Sequence, residues 1–403
     1  MAVLLIGTLD TKGTEFAYVR GRLLAAGVPV LVADAGVIGP APFVADILRE
    51  EIFTAAGVRY ADVKAIADRG HAITLAAQGT AKIAAKLYRD GKLSGVLSLG
   101  GSAGTTIGTA AMRALPVGVP KLMVSTLASG QVQPYVGTRD VMMMYSVVDI
   151  SGLNRISRKV LDNAAAAMAG MVQDRNSQSD NNVADKKIVA ATMFGVTTPC
   201  VEAARRVIEA AEFETLVFHA TGSGGRTMEG LIRDGLVAGV LDITTTELAD
   251  ELVGGVMAAG PERMTAAAIM GIPQVISVGA LDMVNFGPPD TIPTQFRDRN
   301  FYHHNPTVTL MRTTPEENDR IGKEIAEKAC AAQGPTAILL PLRGISAIDA
   351  EGKPFWWPEA DAALFQSIRN WVYGVEIIEV DAHINDPVFA EVAANTMLRL
   401  LST

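Results

Sequence analysis

The fold class is indicated near the start of the chain, where residues 3–15 read VLLIGTLDTKGTE. The four leading apolar residues predict a buried strand, and a helix follows at once, with Phe16, Val19 and Leu23 at helical spacing. A strand, a short polar turn and a helix open a nucleotide-binding α/β unit, in which the turn lies beyond the carboxyl end of the strand. The free N–H groups of the helix then face any anion bound there.

This turn fits no standard nucleotide-binding motif. It lacks the Gly-x-Gly-x-x-Gly pattern of dinucleotide folds, and it is not a Walker loop because Lys12 precedes Gly13. Asp10 and Lys12 are nevertheless candidate catalytic groups. We predict that the turn holds a nucleotide through Gly7, Thr8, Asp10, Thr11 and Lys12.

Composition limits the classes of function. The 403 residues, 49% of them hydrophobic, suffice for two or three domains with large cores. A net charge of −8 argues against nucleic acid as the main partner, because phosphate backbones are bound by clustered Lys and Arg. Two cysteines make no disulfide framework, which indicates a reducing compartment. Without a signal peptide or a bilayer-length apolar stretch, we expect a soluble, cytoplasmic protein that contacts no membrane.

One segment has the composition of a linker. Residues 173–187 read QDRNSQSDNNVADKK, which is polar and nearly free of large apolar side chains. We therefore predict a nucleotide-binding lobe over residues 1–175, a polar linker over 176–187 and a second lobe over 188–403.

The second half of the chain resembles the first. Residues 87–97 (LYRDGKLSGVL) match residues 231–241 (LIRDGLVAGVL) at seven of eleven positions. Chance is the alternative, because glycine before a buried strand is common in βαβ units. The pattern favours an internal duplication that gives an α/β fold with two Rossmann-like parallel-sheet subdomains facing across a cleft.

Comparison of equivalent turns places the nucleotide in the first half. Residues 193–200 (MFGVTTPC), the counterpart of the opening turn, carry no charge, and no glycine loop follows the strand at residues 239–241. In the first half a loop after residue 99 can approach phosphate closely through Gly100, Gly101, Ser102, Gly104 and Thr105. The alternative is a tight turn that needs only glycine.

Acidic residues at strand ends suggest two further contacts. Asp34 follows the second strand, where dinucleotide folds place the carboxylate that binds the ribose. Asp10 and Asp34, with Asp282, could instead share Mg²⁺ with phosphates, because hard cations prefer oxygen ligands. Helix capping is the alternative role for such residues.

The second half offers residues for a small anionic metabolite. Its glycine loop, residues 221–229 (TGSGGRTME), carries an arginine suited to a carboxylate or phosphate, unless that side chain is merely solvated. His303 and His304 are adjacent, so their side chains point apart and a metal site is not expected. His304 is instead a candidate acid–base group. The predicted substrate contacts are His219, Thr221, Gly222, Gly224, Gly225, Arg226, Asp282, His304 and Asn305.

Several long segments resemble one known family. They include GTLDTKGTE (7–15), LGGSAGTT (99–106), FHATGSGGRTMEGLI (218–232) and GVLDITTTELADELVGGV (239–256). The chain resembles the ATP-binding family named after the N-terminal region of the tomato mosaic virus resistance protein. This resemblance implies two Rossmann-like subdomains, ATP binding and a homodimer, but no reaction. In the plant protein a barrel-type domain follows this region, so any such partner of this chain is expected to be a separate polypeptide.

Two classes of function follow. The first is an ATP-dependent enzyme, with Mg²⁺, that acts on a small anionic metabolite by phosphoryl transfer or carboxylate activation. The second is a regulatory or scaffold module that binds ATP without chemistry and works with a separate partner protein. The polar loops of the second half favour the enzyme, because an ATP sensor needs no second set of convergent polar groups. A dehydrogenase, suggested by Asp34, is disfavoured by the missing glycine motif.

Overall fold

The computed structural model describes residues 1–177 and 186–403, so most of the predicted linker lies outside the described residues. The chain divides into two compact units, Met1–Val183 and Ala184–Thr403. Within the described residues, no helix has both the length and the apolar character needed to cross a bilayer.

Unit 1 is a five-stranded parallel sheet with helices on both faces. Its strands are β1 Ala2–Gly7, β2 Val30–Asp34, β3 Leu93–Gly100, β4 Lys121–Ser125 and β5 Met142–Tyr145. Its helices are α1 Leu9–Ala25, α2 Arg49–Ala56, α3 Tyr60–Ile66, α4 Arg69–Arg89, α5 Ser102–Arg113, α6 Gln133–Val136 and α7 Arg155–Ser177.

Alternation along β1 divides the core of unit 1 into two layers. Val3 and Leu5 pack in the cluster that contains Phe16 of α1, whereas Leu4 and Ile6 pack with α4 and α5 on the other face. All four strand residues are fully buried, as expected for a parallel strand covered on both faces.

The strand order of unit 1 is β2-β1-β3-β4-β5. The chain moves from β1 to β2 on one side and returns to the other side of β1 for β3. The carboxyl ends of β1 and β3 therefore flank the topological switch point, where doubly wound sheets bind their ligands.

Unit 2 contains a six-stranded parallel sheet and a small antiparallel sheet. Its strands are β6 Ile188–Met193, β7 Glu214–His219, β8 Gly239–Thr244, β9 Gln274–Gly279, β10 Met283–Phe286, β11 Phe301–Asn305, β12 Val308–Arg312, β13 Thr336–Pro341 and β14 Glu376–Val380. Its helices are α8 Thr198–Ala210, α9 Ser223–Arg233, α10 Glu247–Val253, α11 Ala266–Met270, α12 Pro315–Cys330, α13 Pro358–Trp371 and α14 Pro387–Leu401, with 3₁₀ turns at Pro289–Thr291 and Thr294–Phe296.

The two units are wound in the same way. The large sheet of unit 2 has the order β14-β13-β9-β8-β6-β7, so its switch point lies between β6 and β8. The small sheet has the order β10-β12-β11. The predicted α/β class with two Rossmann-like parallel-sheet subdomains is confirmed.

Candidate functional site

The two loops predicted to bind a nucleotide are neighbours at the switch point of unit 1. β1 and β3 pair in parallel, with Ile6 opposite Ser98. The loops that begin at Gly7 and Gly100 therefore emerge side by side from the same edge of the sheet. Sequence reasoning placed both loops correctly at strand ends, and the topology brings them together.

The charged residues Lys12 and Glu15 have partners inside the protein. The Lys12 ammonium donates to the carbonyl oxygen of Ile150. The Glu15 carboxylate accepts a hydrogen bond of 2.6 Å from the amide of Gly152. Both contacts hold the loop after β5 against the first turns of α1. Lys12 thus makes a loop contact in this structure, and its phosphate contact stays a prediction.

Asp10 and Gly13 hold a different loop. Residues 35–45, here called the β2 loop, cross over the start of α1. Asp10 Oδ2 accepts hydrogen bonds from the amides of Ile38 (2.7 Å) and Gly39 (3.2 Å). Gly13 lies so close to Pro42 that a Cβ at Gly13 would be 2.2 Å from its Cγ. The opening motif therefore fastens two loops around the switch point.

The change Gly13→Ala should detach the β2 loop, because the added methyl group cannot fit beside Pro42. We expect a loss of about 1–3 kcal/mol of stability and faster chymotrypsin cleavage after Phe43. Gly21→Ala is the matched control on α1, since a Cβ there has no neighbour within 4 Å. That control should gain about 0.5–1 kcal/mol. Equal stability changes in urea for the two variants would contradict the contact.

Asp34 is an anchor in this structure. Its Oδ1 accepts from the amides of Leu9 (3.2 Å) and Gly36 (2.9 Å), and its Oδ2 accepts from Arg49 Nε (2.9 Å) and a second Arg49 nitrogen. The side chain is 6% exposed. Both oxygens are thus engaged, and the predicted ribose or metal contact finds no free oxygen here. Arg49 lies 15 residues away, and its role had no local sequence signal.

The amino terminus of α5 presents free donors at the switch point. Within residues 1–177 and 186–403, the amides of Ser102, Ala103 and Gly104 have no hydrogen-bond acceptor. The N-cap residue, Gly101, has no side chain that could accept a hydrogen bond from these amides. Carboxylates already face the start of α1, so an incoming phosphate is favoured at α5.

The glycine loop divides into packing residues and open residues. A Cβ at Gly100 would lie 2.9 Å from the Cα of Gly104, and one at Gly104 would lie 3.1 Å from the Leu99 carbonyl oxygen. These glycines let α5 approach β3 closely. Thr105 is fully buried, and its hydroxyl lies 2.7 Å from the Ser125 hydroxyl. Of the residues predicted in this loop, Gly101 and Ser102 are open to a ligand.

A narrow crevice adjoins the α5 terminus. Its volume is about 40 Å³, room for about three water molecules. Thr8 and Thr11 line it, with their hydroxyl oxygens 2.9 Å apart. Arg69, the first residue of α4, also lines it. Sequence reasoning missed Arg69, although a cation in the first turn of a helix opposes the helix dipole and is a recognisable signal.

The glycine loop of unit 2 already holds an anion from the protein itself. The amides of Gly222 and Gly225 donate to Glu247 Oε1 at 2.7 and 3.1 Å. A Cβ at Gly225 would lie 2.3 Å from Glu247 Oε2. The loop therefore wraps an internal carboxylate, which explains its glycines without the predicted substrate.

Glu247 belongs to a fully buried ion cluster centred on Arg263. The two terminal nitrogens of Arg263 donate to Asp242 at 2.6 and 2.7 Å, and its Nε donates to Glu247 at 2.6 Å. Burial alone would lower the pKa of Arg263, but the carboxylates of Asp242, Glu247 and Glu229 raise it above its ordinary value. Glu229 also accepts from the amide of Met264 at 2.6 Å.

Other substrate contacts predicted in and just before the glycine loop of unit 2 are exposed or make local contacts with the backbone. Arg226 is exposed and donates to the Ala258 carbonyl oxygen at 3.1 Å. His219 ends the edge strand β7 with its side chain exposed, and its carbonyl oxygen accepts from the amide of Thr221. Gly224 packs against that carbonyl group, with a Cβ position 1.8 Å from the oxygen.

Asp282 and the His304–Asn305 pair lie apart. Asp282 is fully buried and accepts from the Ser346 hydroxyl at 2.7 Å. Asn305 is exposed at the end of β11, where its side chain accepts from the amide of Thr307. The carbonyl oxygen of Asp282 accepts a hydrogen bond from the amide of Thr313, and Asn305 lies opposite Val308 in the antiparallel pair of β11 and β12. About five residues of β12, or about 17 Å, therefore separate them. They do not form the predicted common site.

In the described part of the chain, no group of three or more His, Cys, Asp or Glu side chains is arranged so that it could hold a metal ion. Of the three predicted Mg²⁺ ligands, Asp10 and Asp282 each keep a buried oxygen, Oδ1, without a hydrogen-bond partner in the described residues, and Asp10 is the one of these two in unit 1. Mg²⁺ bound to a nucleotide takes one or two carboxylates besides phosphate and water, so Asp10 fits such an ion better than Asp34 does.

The chain matches two models of one family. Residues 1–177 match the N-terminal domain of the uncharacterised protein family UPF0261, and residues 186–401 match its C-terminal domain. A UPF0261 protein of Clostridium tetani is 50% identical over 401 residues, covering 99% of this chain and 98% of its own length. One from Rhizobium meliloti is 48% identical over 394 residues, which cover 97% of each chain.

A plant relative agrees with the resemblance seen in the motifs. The ToMV resistance protein Tm-1(GCR237) of Solanum lycopersicum is 47% identical over 337 residues, which cover 82% of this chain but 45% of the plant protein. Kinship with the tomato protein is thus confirmed, whereas ATP binding stays a prediction.

Proposed function

Because this chain belongs to the uncharacterised protein family UPF0261, we propose a function from its site: unit 1 binds ATP, with the phosphates at the amino terminus of α5. The observation that carries the proposal is the set of three amides, Ser102 to Gly104, that have no acceptor in the described part of the chain and lie at the switch point of a doubly wound sheet. Anions bind readily at such a terminus.

The equivalent place in unit 2 supports this choice of unit. There α10 follows β8 as α5 follows β3. The amides of Leu248 and Ala249, in the first turn of α10, donate to the carbonyl oxygens of Thr245 and Thr246 at 2.9 and 3.0 Å. Unit 2 thus pairs with its own backbone two of the three amide positions that unit 1 leaves open at α5.

Each residue has a distinct task in this proposal. When bound, Mg·ATP would supply a transferable phosphoryl or adenylyl group. The α5 amides would donate to phosphate oxygens, and the Thr8 and Thr11 hydroxyls would donate from the crevice. Asp10 Oδ1 would face the cation. The crevice volume of about 40 Å³ is too small for a triphosphate, so the phosphates would lie outside the crevice, next to the exposed Ser102.

Replacing Ser102 by glutamate tests the site without harming the fold. Ser102 is exposed at the first position of α5, where a carboxylate favours the helix dipole. Its negative charge would repel phosphate, so we expect ATP affinity to fall by about tenfold or more while the melting temperature holds or rises. Ser102→Gln is the neutral control and should bind ATP as the wild type does. Unchanged ATP affinity in the glutamate variant would exclude phosphate binding at α5.

Titration with ATP, ADP and NAD, with and without Mg²⁺, tests the proposal as a whole. Calorimetric heat and a thermal shift are expected for ATP, and their absence would reject it. NAD is expected to bind poorly, because the dinucleotide glycine motif is missing.

We favour an ATP-dependent enzyme that acts on a small anionic metabolite; the alternative is a regulatory or scaffold module that works with a separate partner, such as a barrel-domain protein. Incubation with ATP and a panel of sugar acids and carboxylates distinguishes them. Formation of ADP, AMP or pyrophosphate supports the enzyme, and its consistent absence supports the module.

The proposal also includes that the protein is a cytoplasmic homodimer. Light scattering would measure the molecular mass of the dimer.

A further inference from the structure

A second cavity of unit 1 lies between α3, α4 and the β2 loop. Its volume is about 280 Å³, several times that of the crevice. Its apolar wall consists of Val37, Ile38, Val63, Ala67 and Ala72. This wall can contact the apolar part of a ligand, and the volume of the cavity suits a small metabolite.

The polar part of this cavity carries a net positive charge. It consists of the exposed side chains of Lys64, Asp68 and Arg69, so two cations lie beside one carboxylate. Asp68 caps α4 and accepts from the amide of His71 at 3.0 Å. In the part of the chain that the structure describes, the side chains of Lys64 and Arg69 have neither an ion-pair nor a hydrogen-bond partner. Arg49, by contrast, has its carboxylate partner nearby in Asp34.

The cavity shares a wall with the crevice. Arg69, Val37, Ile38 and Ala72 line both. Lys64 lines the larger cavity but not the crevice. A nucleotide whose phosphates lie at α5 would bring its neutral base to this adjoining cavity, and a neutral base gives Lys64 no charged partner. Asp68 offsets one of the two cations, so the remaining positive charge favours one negatively charged group in the ligand.

We propose that this cavity binds a small organic anion, a carboxylate with an apolar body, between Lys64 and Arg69. The inference rests on the proposed function for one point only, namely that the anion is the second substrate of the ATP site. It places that substrate in unit 1 beside the nucleotide, whereas the sequence predicted it in the second half. The carboxylate takes the charged end of the cavity, and the apolar wall receives the rest of the molecule.

The test uses the full chain with acetate, butyrate and benzoate, followed by calorimetry and ligand-observed NMR. Benzamide is the neutral counterpart of benzoate and should not bind. Lys64→Gln should weaken benzoate binding by about tenfold or more, because the lost contact is a hydrogen bond between charged groups. Lys82→Gln, an exposed change on the neighbouring helix α4 and outside the cavity lining, is the matched control and should have no effect. No binding of any of the three anions, or equal benzoate binding by wild type and Lys64→Gln, would overturn the proposal.

Two further measurements separate this inference from the proposed function. Lys64→Gln should leave ATP affinity unchanged, and Ser102→Glu should leave benzoate affinity unchanged. Benzoate and ATP should also bind together. If saturating ATP displaces benzoate, the cavity belongs to the nucleotide and the inference fails while ATP binding stands. If benzoate binds but ATP does not, the anion site stands and the proposed function fails.

Discussion

Replacing Arg263 by methionine should unfold unit 2 at far lower urea concentrations than the wild type requires. The guanidinium is fully buried between Asp242 and Glu247, with Glu229 3.7 Å away. Without it, Asp242 and Glu247 stay buried with no cation among the described residues, and Glu229 keeps only the partly exposed Arg233, 3.9 Å away. Breaking a buried ion pair by removing one partner costs about 3–5 kcal/mol. We expect a loss of that size in the free energy of unfolding of unit 2.

Tryptophan fluorescence can follow unit 2 alone in this experiment. The chain has three tryptophans, Trp356, Trp357 and Trp371, and all belong to unit 2. Arg226→Met is the matched control, because this exposed arginine makes one hydrogen bond, to a backbone carbonyl group. Its effect should stay within about 0.5 kcal/mol. An unchanged midpoint for Arg263→Met would show that the cluster adds nothing to stability.

A combined variant identifies the cause of the loss. If uncompensated charge is responsible, adding Asp242→Asn and Glu247→Gln to Arg263→Met should recover part of the stability. The neutral glutamine can still accept hydrogen bonds from the amides of Gly222 and Gly225. Further destabilisation by these changes would instead assign the loss to packing.

Local patterns were enough to predict the fold class, because a strand and the helix after it are recorded in neighbouring residues. Val3 to Ile6 and the helical spacing of Phe16, Val19 and Leu23 predicted β1 and α1, and all these residues are fully buried. The same reasoning placed both nucleotide loops at strand ends. Their meeting at one switch point required the strand order, which no local pattern contains.

Side-chain roles were harder to predict because their partners are distant in sequence. Lys12 contacts a carbonyl oxygen 138 residues away, and Glu15 an amide 137 residues away. The charged residues beside glycine in the opening turn predicted a bound ligand, yet Lys12 and Glu15 both contact the loop after β5. The glycine loop of unit 2 shows the same difficulty, since the anion that its amides bind in this structure is the side chain of Glu247, at least 22 residues further along. Arg69 was missed because it lies in neither glycine loop.

Unit 2 should lose stability as the pH rises from about 4 to about 8. Burial raises the pKa of Asp361 to about 8 and that of Asp282 to about 7; nearby Asp349 adds to both shifts, and Arg312 opposes them. In the unfolded chain an aspartate has a pKa near about 3.9. The folded state thus binds more protons across this window, and its advantage is fully present below the unfolded pKa. Each extra proton gives a slope of about 1.4 kcal/mol per pH unit.

The change Asp361→Asn should reduce this pH dependence. Asp361 accepts from Arg312 at 2.7 Å, and asparagine can accept the same bond through its amide oxygen. Its amide nitrogen can donate to Asp349 Oδ1, a buried oxygen with no hydrogen-bond partner in the described structure. The variant therefore mimics protonated Asp361, so it should be more stable than the wild type at pH 8 and lose less stability between pH 5 and 8.

Urea unfolding followed by tryptophan fluorescence at several pH values measures both slopes. Asp381→Asn is the control, because Asp381 is exposed and its hydrogen bond to Arg343 lowers its pKa, so it has no part in the predicted fall. Asp250, whose pKa burial raises to about 7, also favours the protonated folded state, so some slope should persist in Asp361→Asn. If Asp361→Asn kept the full wild-type slope, the extra proton would lie on a different group. If Asp361→Asn were less stable than the wild type at pH 8, Arg312 would instead be stabilised by the negative charge of Asp361 and not by its protonated form.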